Sequence, residues 1–302
     1  MRFTAVLNRD GGTLRTADLD ALAARMRQLL EEAGHTLEID IAGGDRIGER
    51  LEKAAASRAV DVVLAGGGDG TISTAAALLM GKKKALAVLP AGTMNLFARG
   101  LGIPQDLEGA IAAFATGKVI AVDMASANGR PFIHQFSIGL HAKMVHLREK
   151  MEFGSRLGKI GASFRAAWAI MKNPPRMAVD LTVGEAEMKM RTTGIGVSNN
   201  VFGEGHLPYA DNPSGGVLGI YVASPRQRGE MLGFFVDMAR GRWRDSQHVE
   251  ALQAASAVLK VSGRTRRFPA VIDGELVRLE PVTRLEIHPG ALNVLVPAQA
   301  PA

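Results

Sequence analysis

Apolar positions in the first part of the chain switch between two periods. Residues 3–7 form a short apolar run, 18–33 repeat apolar side chains at helical spacing, 37–41 return to a strand-like pattern, and 45–57 are helical again. Residues 60–65 (VDVVLA) and 85–89 (ALAVL) are runs of the kind that parallel strands carry when both faces are buried. This alternation predicts an α/β domain with a parallel sheet over residues 1–125, with ligands at the carboxyl ends of its strands. Beyond Asp123 the texture changes. Residues 177–183, 188–196, 217–222, 257–261, 270–272 and 284–287 are strand-like, and Gly184, residues 212–216, Gly263, Gly274 and Pro289 punctuate them. The spacing predicts a mainly antiparallel β-sandwich over residues 126–290, interrupted by helices at 141–172 and 228–240. Residues 296–302 read as a frayed tail.

Composition narrows the classes. With 302 residues, 47% of them hydrophobic and 22% charged, the chain can bury two cores and is not disordered. Cysteine is absent, which excludes disulfides, thiolate nucleophiles and cysteine-held zinc or iron–sulfur sites. Seven histidines are scattered without an H-E-x-x-H pattern or a pair four residues apart, so no zinc site is expected. The apolar stretch at the N-terminus is too short for a secretory signal, and the expected location is cytoplasmic. The run at 85–89 meets Pro90 after five residues, far short of the roughly 20 that span a bilayer, so any membrane contact should be peripheral.

The chemistry concentrates where apolar strands run into glycine. Residues 62–65 lead straight into Gly66, Gly67, Gly68, Asp69, Gly70 and Thr71, and a helix-like stretch from Ile72 and Ser73 begins at once. Glycines let backbone N–H groups approach a phosphate, and a helix start adds donors and a favourable dipole. A carboxylate beside a phosphate is repelled unless a cation or a proton transfer needs it, so Asp69 points to Mg²⁺ or to orienting a hydroxyl; the plainer alternative is a tight turn whose Asp caps the helix. The loop fits neither G-x-x-x-x-G-K-[ST] nor G-x-G-x-x-G, because Thr71 stands where the last Gly would be. A second loop, Pro90-Ala91-Gly92-Thr93-Met94-Asn95, follows the next strand, and a third, Asn8-Arg9-Asp10-Gly11-Gly12, follows the first.

Three blocks together resemble the diacylglycerol kinase catalytic-domain family, which includes sphingosine kinases and soluble bacterial lipid kinases. They are Gly67-Gly68-Asp69-Gly70-Thr71, the segment from Pro90 through Gly92, Thr93, Asn95 and Phe97-Ala98-Arg99 to Leu101-Gly102-Ile103-Pro104, and Asp273-Gly274-Glu275. NAD kinases and phosphofructokinases share related loops, so the first block alone would not separate them. The resemblance implies a nucleotide-binding α/β domain of NAD kinase/phosphofructokinase type, a β-rich lipid-substrate domain, and a C-terminal strand near 291–297 that returns to the first domain. It also implies Mg·ATP bound by residues 8–12, 67–73, Thr93 and Asn95. Asp69 would organise Mg²⁺ through ATP, and Glu275 with Asp273 would accept the proton of a lipid hydroxyl entering between the domains. Read without the other two blocks, Asp273-Gly274 is a hairpin turn. One departure stands out: the family often has an acidic residue where Gly215 lies in the stretch from Pro208 to Gly216, which leaves Asp211 as the candidate for a second, structural metal.

Charge suggests the partner. The balance is 36 − 30 = +6. Residues 143–176 mix lysines and arginines with Met, Phe and Trp, as an interfacial helix does; packing of that apolar face on the sandwich is the alternative. Further arginines, Arg264, Arg266 and Arg267, and Arg240, Arg242 and Arg244 around Trp243, raise nucleic acid as a rival. No helix-turn-helix, zinc-finger or RNP pattern accompanies them, so the expected partner is a lipid substrate at a membrane surface. An edge strand of the second domain offers a route to a homodimer. Two other functions fit parts of the pattern: a kinase of a soluble substrate, from the shared glycine loop, and a silent nucleotide- or lipid-binding regulator. The three carboxylates Asp69, Asp273 and Glu275 weigh against the regulator.

Overall fold

The computed structural model describes residues 1–149, 174–225, 228–239, 241–242, 246–262 and 269–299. Much of the stretch read as an interfacial helix (150–173), together with Arg240, Trp243, Arg244, Gly263, Arg264, Arg266 and Arg267, lies outside them. The chain divides into two compact units. Unit 1 comprises Met1–Met124, Asp211–Gly215 and His288–Ala302; unit 2 comprises Ala125–Ala210 and Gly216–Ile287.

Unit 1 is an α/β layer. Its elements are β1 (Arg2–Asn8), α1 (Leu19–Glu32), β2 (Thr36–Ala42), α2 (Ile47–Ala56), β3 (Val62–Gly67), α3 (Asp69–Leu79), β4 (Ala85–Pro90), α4 (Leu96–Gly100), α5 (Leu107–Ala115) and the start of β5 (Lys118–Ala127). The strands β1 to β4 pair in parallel in the order β2-β1-β3-β4. Every residue of β3 and β4 is buried, as strands covered on both faces require. Helices cover the sheet through apolar stripes: Ala23, Met26 and Leu30 of α1 and Ile47, Leu51, Ala54 and Ala55 of α2 are buried. Asp18 caps α1 by accepting the N–H groups of Asp20 and Ala21, and Asp106 caps α5 by accepting that of Gly109. At the opposite end of β1, Arg2 grips Asp61 with two nitrogens and holds that carboxyl down at about 2.

Unit 2 is an antiparallel β-sandwich. In chain order it contains β6 (Arg130–Phe132), β7 (Gln135–Gly139), α6 (Leu140–Glu149), β8 (Met177–Val183), β9 (Ala186–Thr192), β10 (Gly194–Asn199), β11 (Leu218–Ala223), α7 (Arg228–Ala239), β12 (Val249–Ala254), β13 (Ser256–Val261), β14 (Pro269–Ile272), β15 (Glu275–Arg278) and the first part of β16 (Val282–Val296). One layer runs β12-β11-β10-β7-β14-β15; the other contains β16, β13, β8 and β9, with β5 and β6 beside β16. Alternate residues point inward, as in Met177, Val179 and Leu181 of β8 and Ala257, Leu259 and Val261 of β13. They meet Phe132, Phe136, Ile138, Val197, Ile220 and Leu285 in one core. The last part of β16 pairs in parallel with β4, Asn293 opposite Ala85 and Leu295 opposite Ala87.

Part of the stretch expected to carry an interfacial face is α6. There Ala142 and Val145 are buried against Val271, Met144 and Leu147 pack toward a second small core, and burial pushes the Lys143 ammonium below its ordinary range. Within the described residues this helix therefore turns apolar side chains inward.

Candidate functional site

Four loops leave the carboxyl ends of β1 to β4. Since β1 lies between β2 and β3, the strand order reverses beside β1, which is where open α/β sheets bind ligands. The loops after β1 and β3 meet across that point: Asn8 Nδ2 donates to Thr71 Oγ1 at 3.2 Å. The loop after β1 also reaches the one after β4, where Thr13 N–H donates to the Ala91 carbonyl at 2.8 Å. Gly92 and Gly68 run so close that a Cβ on Gly92 would lie 2.8 Å from the Gly68 Cα. A Cβ on Gly67 would be 2.6 Å from Thr71 Oγ1. These glycines are needed for contact between backbones, which is what a phosphate cradle demands. The N-terminus of α3, at Gly68, has no side-chain cap, so its first-turn N–H groups face the loops rather than a capping oxygen. The residues present therefore fit a phosphate-bearing ligand.

Gly12 is the most constrained member. It has φ +42°, and a Cβ there would overlap the Ala91 carbonyl oxygen. Gly12→Ala is expected to lower stability by about 2 kcal/mol or more, from backbone strain and displacement of the loop after β4, and to abolish nucleotide binding in any molecules that still fold. Thermal melting and nucleotide titration check this; a variant that melts and binds like wild type would remove Gly12 from the site.

Asp69 ties two loops together. Its Oδ1 accepts the N–H of Leu96 at 3.0 Å and its Oδ2 that of Asn95 at 3.2 Å. It thereby caps α4 from 26 residues away in sequence, a task Asn95 does not perform from the cap position. Asn95 is left-handed, with φ 49°, and uses Oδ1 to accept the Gly92 N–H at 2.9 Å. Thr93 is exposed on the same loop. The Ile72 side chain is buried and its N–H donates to the Gly68 carbonyl.

One member of the group was missed in the sequence. The loop after β2 (Gly43, Gly44, Asp45) joins the same edge, because Asp10 Oδ2 accepts the Gly44 N–H at 2.7 Å and a Cβ on Gly43 would lie 2.7 Å from Asp45 Oδ1. Its only signal was position: two glycines at the carboxyl end of a strand.

In unit 2, Asp273 and Gly274 form the two-residue turn between β14 and β15, with φ 47° and 88°. Positive φ at both positions is the hairpin geometry that Asp-Gly favours. The Asp273 side chain does more than turn the chain. Its Oδ1 accepts the N–H groups of His134 (2.9 Å) and Gln135 (3.0 Å), and its Oδ2 that of Ile133 (3.0 Å). The Asp273 N–H returns a bond to the Gln135 carbonyl at 2.9 Å. The segment 133–135 is held from its other side by Asn199, whose N–H donates to the His134 carbonyl and whose Nδ2 donates to that of Ile133. Asp273 is thus a clamp whose lone pairs are engaged by backbone. Glu275, the first residue of β15, is exposed and meets Arg130 at 3.0 Å through Oε2. The two carboxylates have different surroundings: Asp273 is half-buried and Glu275 is exposed.

Asp211 is exposed, in the segment that joins unit 1 beside β5, where Asp123 N–H donates to the Pro213 carbonyl and Ser214 Oγ to that of Ala121. The buried Asp123 accepts the Gly290 N–H there at 2.9 Å. Among the described residues no three His, Asp or Glu side chains converge as a metal site. No described helix is long and apolar enough to cross a membrane.

Residues 2–127 match the family model described as the diacylglycerol kinase catalytic domain, and residues 136–296 match the YegS C-terminal NAD kinase beta sandwich-like domain. A protein of Yersinia pestis (strain Pestoides F) named "Probable lipid kinase YegS-like" is 37% identical over 114 residues, 36% of this chain and 38% of the relative. The alignment thus spans well under half the length of that relative. A crystal structure described as a diacylglycerol kinase from Bacillus anthracis str. Sterne superposes with TM-score 0.74 at 19% identity, over 98% of this chain and 96% of that one. A second structure from the same organism gives TM-score 0.78 at 22% identity, over 98% and 95%. At these identities the structural likeness speaks for the fold.

Proposed function

The chain belongs to the diacylglycerol kinase catalytic-domain family in its YegS-like form, and from that premise we propose that it transfers the γ-phosphoryl group of Mg·ATP to the hydroxyl of a lipid alcohol such as diacylglycerol. The observation that carries the reading is the division between the acids of the hairpin: a clamped Asp273 that fixes the turn, and an exposed Glu275 that the fixed turn presents. A binding module has no use for such a device, whereas a hydroxyl that must become a nucleophile needs a carboxylate within reach.

The phosphates would be held by backbone N–H groups at residues 67–71 and the start of α3, with Asn8 to Gly12, Thr93 and Asn95 around them. Mg·ATP supplies the transferable phosphoryl group and neutralises the charge that develops on it. Asp69 keeps the loops after β3 and β4 in register and would supply a negative charge toward the Mg²⁺ bound with the phosphates. Glu275 would accept the hydroxyl proton while the lipid oxygen replaces the bridging oxygen of ADP on the γ-phosphorus and ADP leaves, and Arg130 holds one oxygen of Glu275. The protein would work in the cytoplasm at the surface of a bilayer, where such lipids are found.

The experiment is transfer of label from γ-labelled Mg·ATP into organic-extractable product, with purified protein and vesicles of a total lipid extract. Labelled lipid, absent without Mg²⁺, is the expected result, and its identity names the substrate. Label appearing on NAD or a sugar instead would overturn the lipid reading, and no transfer to any acceptor would overturn the kinase.

A further inference from the structure

Both layers of unit 2 end in strands paired on one side only: β9 ends one layer, and β12 and β15 flank the other. In unit 1, β2 ends the sheet. An edge strand presents a row of backbone donors and acceptors that a further strand can take up. For β9 that row can be read from its turn. Gly184, with φ 59°, and Glu185 close a two-residue hairpin that sets Val183 opposite Ala186. The pair flanking such a turn exchanges hydrogen bonds, and bonded pairs then recur at every second residue. Ala186, Met188, Met190 and Thr192 therefore bond to β8, while Glu187, Lys189 and Arg191 turn their N–H and C=O groups to the free edge. Among the described residues, β8 is the one strand that pairs with β9. The side chains alternate in the same way. Met188 and Met190 are half-buried against the sandwich core, whereas Glu185, Glu187, Lys189 and Arg191 are exposed on the other face.

We propose that β9 is the seam of a homodimer, in which it pairs antiparallel with β9 of a second copy across a twofold axis through Met188. The occupant and the register both follow from charge. In antiparallel pairing opposite residues share a face, so the axis must pass through a residue; an axis between two residues would lay the methionines of one copy on the charged face of the other. With Met188 on the axis, Glu187 faces the partner's Lys189 and Glu185 faces the partner's Arg191, and symmetry repeats both pairs. An axis moved by one residue either way sets Lys189 or Glu187 against its own copy. Moved by two, it sets Lys189 against Arg191 or Glu185 against Glu187. Opposite charges across a strand pair stabilise it and like charges destabilise it, so the Met188 register is the one that satisfies them all. There Glu187 and Lys189, whose backbone groups face the edge, exchange hydrogen bonds across the axis, and the half-buried Met188 side chains meet at the short spacing of a non-bonded pair. Lys189 already lies opposite Asp180 on β8, and the partner's Glu187 gives it a second acid. Lysine alone would blunt an edge. A strand with its acids in the first half and its bases in the second is instead complementary to its own reverse. The other edges lack this property: β2 carries Glu38 and Asp40 on one face, which a second β2 would double, and the charged residue of β12 is Glu250. The seam is independent of the kinase assignment.

The test is sedimentation equilibrium of the full chain across a wide range of protein concentration. Wild type is expected to dimerise reversibly, since one strand from each copy makes a small interface, and more weakly as salt rises. Lys189→Glu and Glu187→Lys each set like charges opposite one another at both symmetric positions, and each is expected to raise the dissociation constant at least about tenfold. Mixed in equal amounts, these two variants restore both pairs and are expected to associate with each other. The exchanged chain Glu187→Lys/Lys189→Glu is expected to dimerise like wild type. Melting temperature in the dilute, monomeric range separates a lost seam from a lost fold. Lys189→Pro serves if the charge variants do not fold, since it removes an N–H that faces the edge and leaves the bonds to β8; it too should raise the dissociation constant at least about tenfold. A wild type that stays monomeric throughout would overturn the proposal. So would a dimer that both single variants leave intact, which would give the contact to another face. Folded single variants that fail to associate with each other would overturn the register, and the seam with it.

Discussion

Replacing Glu275 by Gln is expected to lower kcat about a hundredfold to ten-thousandfold, the range a positioned general base contributes. Melting temperature and nucleotide affinity should hardly move. Glu275 is exposed and its ion pair to Arg130 is half-exposed, so the folded state depends little on its charge. Asp273→Asn should behave differently although it sits two residues away. Its carboxylate accepts three backbone N–H groups through both oxygens, and an amide has only one oxygen to offer. At least one donor of the segment 133–135 is then left without its acceptor, at a cost of about 1–3 kcal/mol. The expected signature is a lowered melting temperature together with lost turnover, because the hairpin that presents Glu275 loosens. Parallel measurement of melting and of labelled-phosphate transfer distinguishes the two. Near wild-type turnover in Glu275→Gln would end its assignment as proton acceptor, and an Asp273→Asn variant that melts normally would end the clamp.

That contrast also marks what a sequence conveys about such a site. The strand β3 and its glycine exit were legible because both depend on neighbours in the chain: four buried apolar residues, then Gly66, Gly67 and Gly68, then a helix start. The antiparallel sandwich was legible in outline from alternation in β8 and β13, whereas β6 and β7, of three and five residues, are too short to show a period. The hairpin at Asp273 was readable as a turn, since Asp-Gly at positive φ is a local preference. Its role as a clamp was not, because the donors lie at least 138 positions away. The same limit hid the loop after β2, joined to the site only through Asp10, and the capping of α4 by Asp69. Pattern reveals which side chains are chemically able; the fold decides which oxygen is still available.

Asp69 poses the sharpest case, because one carboxylate is asked to do two things. As a tie it accepts two N–H groups at the start of α4, a geometric task that a neutral oxygen performs in part. As a charge beside the phosphates it is costly without a cation and useful with one. Asp69→Ala removes both, and should lower the melting temperature and abolish nucleotide binding, since the loop carrying Gly92, Thr93 and Asn95 loses its anchor. Asp69→Asn separates them. The amide keeps the volume and one acceptor, so the loss of stability should stay near 1 kcal/mol, a few degrees in melting temperature. The missing negative charge should still reduce turnover at least about a hundredfold, comparable to removing one group aimed at developing charge, and should raise the Mg²⁺ concentration needed for half-maximal rate. Turnover measured across a Mg²⁺ titration, beside thermal melting, reads both effects. If Asp69→Asn turns over like wild type at every Mg²⁺ concentration, the residue is a tie between two loops and the cation is organised without it.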